Sequence, residues 1–173
     1  MIMTLLKFIF FLIVLLGAFS IPIFFTPLGE VPLTTILSVG DVKPTNFQTL
    51  KFNPNPNQYL ICPENTCIEE KHDESPVFNV PVDRLQSTWK AMLAEQPNIE
   101  ILRTSADSNS QDLVQRTRLV RYPDIVSVEF SKISETQSTL SVYSRSIYGR
   151  SDFGANKTRI DAWISRLKVL ASR

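Results

Sequence analysis

The sequence predicts an α+β fold: a four-stranded antiparallel sheet with two flanking helices, in the order helix, four strands, helix, preceded by an N-terminal transmembrane helix. Three observations carry this expectation: an uncharged amino-terminal run, two segments with apolar residues at three- and four-residue steps, and four intervening stretches of alternating apolar and polar residues. The 173 residues, 43% hydrophobic with 18 basic against 17 acidic side chains, suit one modest domain and an appendage.

The appendage comes first. From Phe8 to Phe25 the chain reads FIFFLIVLLGAFSIPIFF, 18 residues without a charge, enough at about 1.5 Å per residue to cross roughly 27 Å of hydrocarbon. Residues 1–25 are read as a signal anchor that holds the membrane through residues 5–25, because a signal peptide's apolar region is usually shorter. The competing reading is cleavage near Ala18-Phe19-Ser20, which would release a secreted or periplasmic soluble protein. Lys7 lies on the short side of the run, and Glu30 and Asp41 precede the first basic residue on the other. By the positive-inside rule the domain is expected on the exported side of the cytoplasmic (inner) membrane.

Residues 26–60 form a proline- and asparagine-rich tract that includes NPNPNQ, and are expected to be an extended linker with little regular structure. The domain is placed at 61–173. It begins with CPENTCIEEKHDESP, which holds the chain's two cysteines, Cys62 and Cys67. In an exported compartment such a pair is expected to form a small disulfide loop. The rival is a metal site with His72 and the neighbouring carboxylates, but C-x4-C and one histidine lack the second ligand pair of a zinc site.

The first helix follows in DRLQSTWKAMLAEQPN. Leu85, Trp89, Met92 and Leu93 share one face, Asp83 and Gln86 suggest a capping box, and Pro97 closes the segment. Strands are expected from Ile99 to Leu102, from Leu113 to Val120, across Val126, Val128 and Phe130, and across Leu140 and Val142. Polar SADSNSQD and RYPD make the corners. In the last helix Ile160, Trp163, Ile164, Leu167 and Leu170 recur with helical spacing.

If both helices cover one sheet face, the other collects Arg116, Arg118, Ser127, Glu129, Thr139, Ser141, Tyr143 and Arg145. From Pro97 onward there are 12 basic and 8 acidic residues, a local +4. Such a face could attract an anionic lipid or a membrane protein complex, or could simply be solvated. Nucleic acid is excluded as a partner by export and by a net charge of only +1.

Chemistry finds little support. Gly149 and Gly154 have phosphate-loop spacing, yet Ala155 and Asn156 stand where lysine and a hydroxyl are required. The sole histidine lies in the cysteine loop, and no serine sits in a nucleophile elbow. An enzyme of unrecognised class remains as the second reading, with Arg145, Arg150, Asp152, Asn156 and Arg159 forming an anion pocket at the start of the last helix. No cofactor and no metal are expected.

RTRLVRYPDIVSVEF, followed by LSVYSRSIYGRSDFGANKTRIDAWISRL, resembles the domain of unknown function 1499 family. Its members share an arginine-rich strand leading to a proline-aspartate corner, here Pro123 and Asp124. They also share a terminal signature that falls on Ser144, Arg145, Ser146, Gly149, Ser151, Asp152, Gly154, Asn156 and Arg159. Upstream the resemblance takes in Cys62, Pro63 and Cys67. It implies an exported or membrane-associated bacterial protein, or a thylakoid lumen protein in a photosynthetic organism. It supplies no reaction and no catalytic residue.

Overall fold

A computed structural model of the chain describes residues 9–14, 37–118 and 120–172. The chain divides into two compact units, Met1–Ser38 with Thr117–Arg121, and Val39–Arg116 with Tyr122–Arg173. In the smaller, residues 9–14 are helical; the rest of the expected membrane segment lies outside the described residues. Among the described residues no helix is long and apolar enough to cross a membrane.

The larger unit carries the sheet. In chain order it contains β1 (Gln58–Cys62), β2 (Asp73–Glu74), α1 (Val82–Ala94), β3 (Ile99–Thr104), β4 (Ser110–Arg116), β5 (Pro123–Lys132), β6 (Ser138–Ser146) and α2 (Ala155–Ala171). Strands β3 to β6 form the antiparallel meander that the alternation predicts, with Val126 opposite both Leu113 and Ser144. The expected four strands are nevertheless six, in the order β2-β1-β6-β5-β4-β3. β1 pairs antiparallel with β6 and parallel with β2, so the sheet is mixed.

The two extra strands escaped the alternation argument for a physical reason. Tyr59, Leu60, Ile61 and Cys62 are all buried, so β1 is apolar on both faces and has no period of two, and β2 is only two residues long. The candidate strand from Leu113 to Val120 also shifts: β4 starts at Ser110 and ends at Arg116. Within β3 the register slips between Ile101 and Arg103, leaving Leu102 as an extra residue.

Both helices pack on one sheet face. Leu85, Trp89, Met92 and Leu93 of α1 and Ile160, Trp163, Ile164 and Leu167 of α2 share a core with Leu113, Val126, Val128, Phe130, Leu140 and Val142. Trp89 meets Trp163 edge-on at 5.6 Å and Phe130 at 5.9 Å. Each indole N–H finds an acceptor, Trp89 at Gln111 and Trp163 at Gln96. The expected capping box of α1 does not form. Pro81 is the N-cap, Asp83 lies one residue inside the helix, and Gln86 donates instead to Asn109 across to the β3–β4 turn.

The opposite face departs most from expectation. Ser127, Thr139, Ser141 and Tyr143 are 1%, 4%, 1% and 2% exposed, so this is a second buried layer rather than a solvated basic surface. Phe47 packs there with Leu60, Cys62 and Tyr143, flanked by Leu50, Phe52 and Cys67. Part of the tract expected to be a linker thus folds onto the domain. Small hydroxyls tolerate burial because each meets a partner: Thr45 reaches Ser127, Cys62 Sγ reaches Ser141, and Thr139 donates to the Pro76 carbonyl.

Cys62 and Cys67 are joined in a disulfide, with Cα atoms 6.2 Å apart. Closing so short a loop restricts the unfolded chain by about 2 kcal/mol. Replacing both cysteines with serine is therefore expected to lower unfolding stability in urea by about that amount, whereas reductant should leave the double variant unchanged and weaken the wild type.

Candidate functional site

The terminal signature assembles at one end of the sheet, where β5 begins, β6 ends and α2 starts. Two glycines shape the approach: Gly149 has φ 87° and Gly154 φ 78°, conformations that L side chains seldom adopt. Gly154 occupies the N-cap of α2 and brings no capping side chain of its own. Asp152 supplies that function from two residues earlier. Its Oδ2 accepts the Asn156 backbone N–H at 2.8 Å, and its Oδ1 accepts that of Gly154 at 3.1 Å.

Asn156 is fully buried and joins four parts of the fold. Its Oδ1 accepts from Ser144 Oγ at 2.5 Å and from Arg159 at 2.7 Å. Its amide nitrogen lies within hydrogen-bond distance of the Asn57 carbonyl, Ser146 Oγ and Asp152 Oδ2. Asn57, also buried, donates in turn to the Gly149 carbonyl at 2.7 Å. The signature loop is thereby tied to the residue just before β1.

Arg159 completes the cluster. It pairs with Asp124, and the two side chains are 10% and 5% exposed. Its remaining donors go to Gln115 at 2.5 Å and Ser144 at 2.9 Å. A planar guanidinium with several donors suits this job, since one side chain can bind three strands and its own helix.

The expected anion pocket at the start of α2 is therefore not formed. Arg159 is spent on Asp124, Arg150 is exposed in the loop, and Arg145 projects from the other sheet face. The divergence follows from parity: in β6, Ser144 and Ser146 face α2, so Arg145 between them must face away. Pro123 and Asp124 are buried at the start of β5, Pro123 opposite Arg116 at the end of β4. Arg118 falls in the smaller unit and is exposed.

On the far face a second polar chain runs through Ser127. Its hydroxyl donates to Asp112 at 2.5 Å and accepts from Arg145 at 3.2 Å, with Thr45 at 2.8 Å. Those three contacts match one donor and two acceptor positions, so Thr45 is assigned as a donor here. Asp112 is paired with Arg103. The Arg145 guanidinium lies 4.9 Å from the centre of the Tyr143 ring. Burial draws the pKa of Arg145 below the ordinary arginine range, against the opposing pull of Tyr143 and Asp112.

Asn57, Gln115 and Thr45 were not singled out by sequence as site residues. Asn57 and Thr45 sit in the tract read as linker, and no local pattern distinguishes a structural asparagine or threonine there from a solvated one.

Two outcomes follow from this arrangement. Arg159→Met leaves Asp124 buried without its cation and should cost about 3–5 kcal/mol of unfolding stability, while adding Asp124→Leu should recover much of the loss in a double-mutant cycle. The Asp152 carboxyl is pushed up by burial, but hydrogen bonds from Asn156 and Gly154 outweigh this and hold it below its ordinary value. A depressed carboxyl contributes stability above its unfolded pKa, and that contribution disappears as pH falls through the folded value. An acid titration should accordingly show a steeper loss of stability in the wild type than in Asp152→Ala below about pH 4.

A family model described as a protein of unknown function, DUF1499, matches residues 44–167. A search of the curated proteins returns no match. The matched span begins before β1, includes the folded-back tract, the disulfide, the whole sheet and the signature cluster, and covers well over half of the chain; the protein belongs to the DUF1499 family.

Proposed function

We propose that this chain is a non-enzymatic binding module, anchored in the cytoplasmic membrane by its amino-terminal apolar run and carrying its domain on the exported side to engage an anionic partner. The observation that carries the non-enzymatic reading is the occupancy of the signature. Asp124, Ser144, Asp152, Asn156 and Arg159 satisfy one another and the backbone around them. A catalytic acid, base or anion clamp has to keep a donor or acceptor for its substrate, whereas these groups serve to fasten a helix to a sheet.

Anchoring is supported by the 18 uncharged residues from Phe8 to Phe25, and export by Lys7 on their short side. The disulfide accords with an oxidising compartment. An anionic partner is favoured by the local +4 of the chain from Pro97 onward.

Cell fractionation tests the reading. The full chain should sediment with membranes, resist extraction by high salt and be digested by protease added from the exported side, while a chain lacking residues 5–25 should be recovered without membranes. A full chain found in the cytoplasmic soluble fraction would overturn the anchor. A catalysed turnover abolished by Asp152→Ala in a protein that still unfolds cooperatively would overturn the non-enzymatic assignment.

A further inference from the structure

The far sheet face has one unusual electrostatic property. Arg145 is a partly buried cation, yet among the described residues no carboxylate stands within ion-pair distance of it. The nearest candidate, Asp112, is already paired with Arg103 and accepts from Ser127, the hydroxyl that separates it from Arg145. A guanidinium has five N–H donors. The contacts at Arg145 are one hydrogen bond to a neutral hydroxyl and the Tyr143 ring. Burying a charge on such terms is costly unless something else compensates it.

The same guanidinium lines a groove of about 450 Å³ between the sheet and the folded-back tract. Exposed Lys43 and Lys51 line it as well, Thr45, Asn46 and Asn53 add neutral polar groups, and among the described residues no acidic one lines the groove. Glu69, the nearby carboxylate felt by Tyr143, accepts the Phe52 backbone N–H instead. Three cations therefore converge on one concave site. Two of them sit on flexible, exposed stems, and the third is fixed by aromatic packing, a combination suited to a tetrahedral oxyanion.

We propose that the groove formed by Arg145, Lys43 and Lys51 is a binding site for a phosphate group, presented either as a phospholipid headgroup or as free phosphate. The assignment deepens the reading of the protein as a binding module, and rests on it, by giving the anionic partner a location and a chemistry. In the site Arg145 makes the fixed, charge-assisted contact from the floor, and the two lysines close over the outer oxygens. The floor is rigid because Tyr143 is held by its hydroxyl on Gln58, and Gln58 is held by the carbonyls of Asn53 and Asn55.

The test uses the full chain in a neutral detergent, titrated calorimetrically with inorganic phosphate and with dihexanoyl phosphatidylglycerol, ionic strength being matched with chloride. Wild type should bind at least one probe. Arg145→Gln, and separately the double variant Lys43→Gln with Lys51→Gln, should weaken that binding roughly tenfold or more, and Lys168→Gln on α2 should leave it unchanged. Binding of phosphatidylglycerol alone would assign the site to a lipid headgroup; binding of both probes would show that phosphate suffices.

The proposal is overturned if neither probe binds, if the double lysine variant binds as wild type does, or if Lys168→Gln weakens binding equally, which would mean diffuse charge. Because Lys43 and Lys51 are exposed, the double variant decides the matter even where Arg145→Gln fails to fold. Fractionation of the same variants separates the two claims: a chain that keeps to the membrane but ignores phosphate loses only the groove, and one that binds phosphate but is not membrane-held loses only the anchor.

Discussion

The buried ion pair between Arg159 and Asp124 is the constraint on which the rest of the domain depends. A charge in the interior is tolerated only when it is matched and hydrogen-bonded, and this pair meets that condition by drawing in Gln115, Ser144 and Asn156. The consequence is geometric. The start of α2 has to sit over the junction of β4, β5 and β6, and the loop before it has to bend through two left-handed glycines to arrive there. Asn57 then links the same cluster to β1. Removing one carboxylate would thus loosen a helix, three strands and the entry to a fourth.

That cluster occupies one side of the sheet, and the other side carries its own polar system. Both faces of β5 and β6 are buried, which is uncommon in an antiparallel sheet with one helical layer. What makes it possible is the tract before β1: Phe47 seals the second face, and Thr45 supplies the contact that Ser127 needs. The domain therefore has three layers, helices, sheet and wrapped tract. Its proline-rich segment is part of the fold from at least Pro44, where the family match also begins.

Much of this was legible in the sequence. Helical spacing located α1 and α2 and their buried residues, because each helix has one apolar stripe and one wet side. Alternation located β3 to β6 for the same reason. It assigned the polar half of β5 and β6 to solvent, however, and failed there, because period-two patterns report that two faces differ and do not report which covering each receives. Ser127, Thr139 and Ser141 look like surface residues until their partners arrive from 63 to 82 positions away. The signature was recognisable as a unit, but its division between faces became visible only once the pleat put Ser144 and Arg145 on opposite sides. β1 was hidden by its own burial and by the prolines before it.

The slipped register in β3 bears on how the molecule behaves among copies of itself. An open sheet has two unpaired margins, each able to template a neighbour's strand. Here one margin is β2, with only two residues, and the other is β3, interrupted at Leu102 and bearing Glu100 and Arg103 beside the interruption. Neither offers the long, flat ladder that fibril growth requires. A six-stranded sheet thus carries its protection against self-association in the irregularity of its own edges.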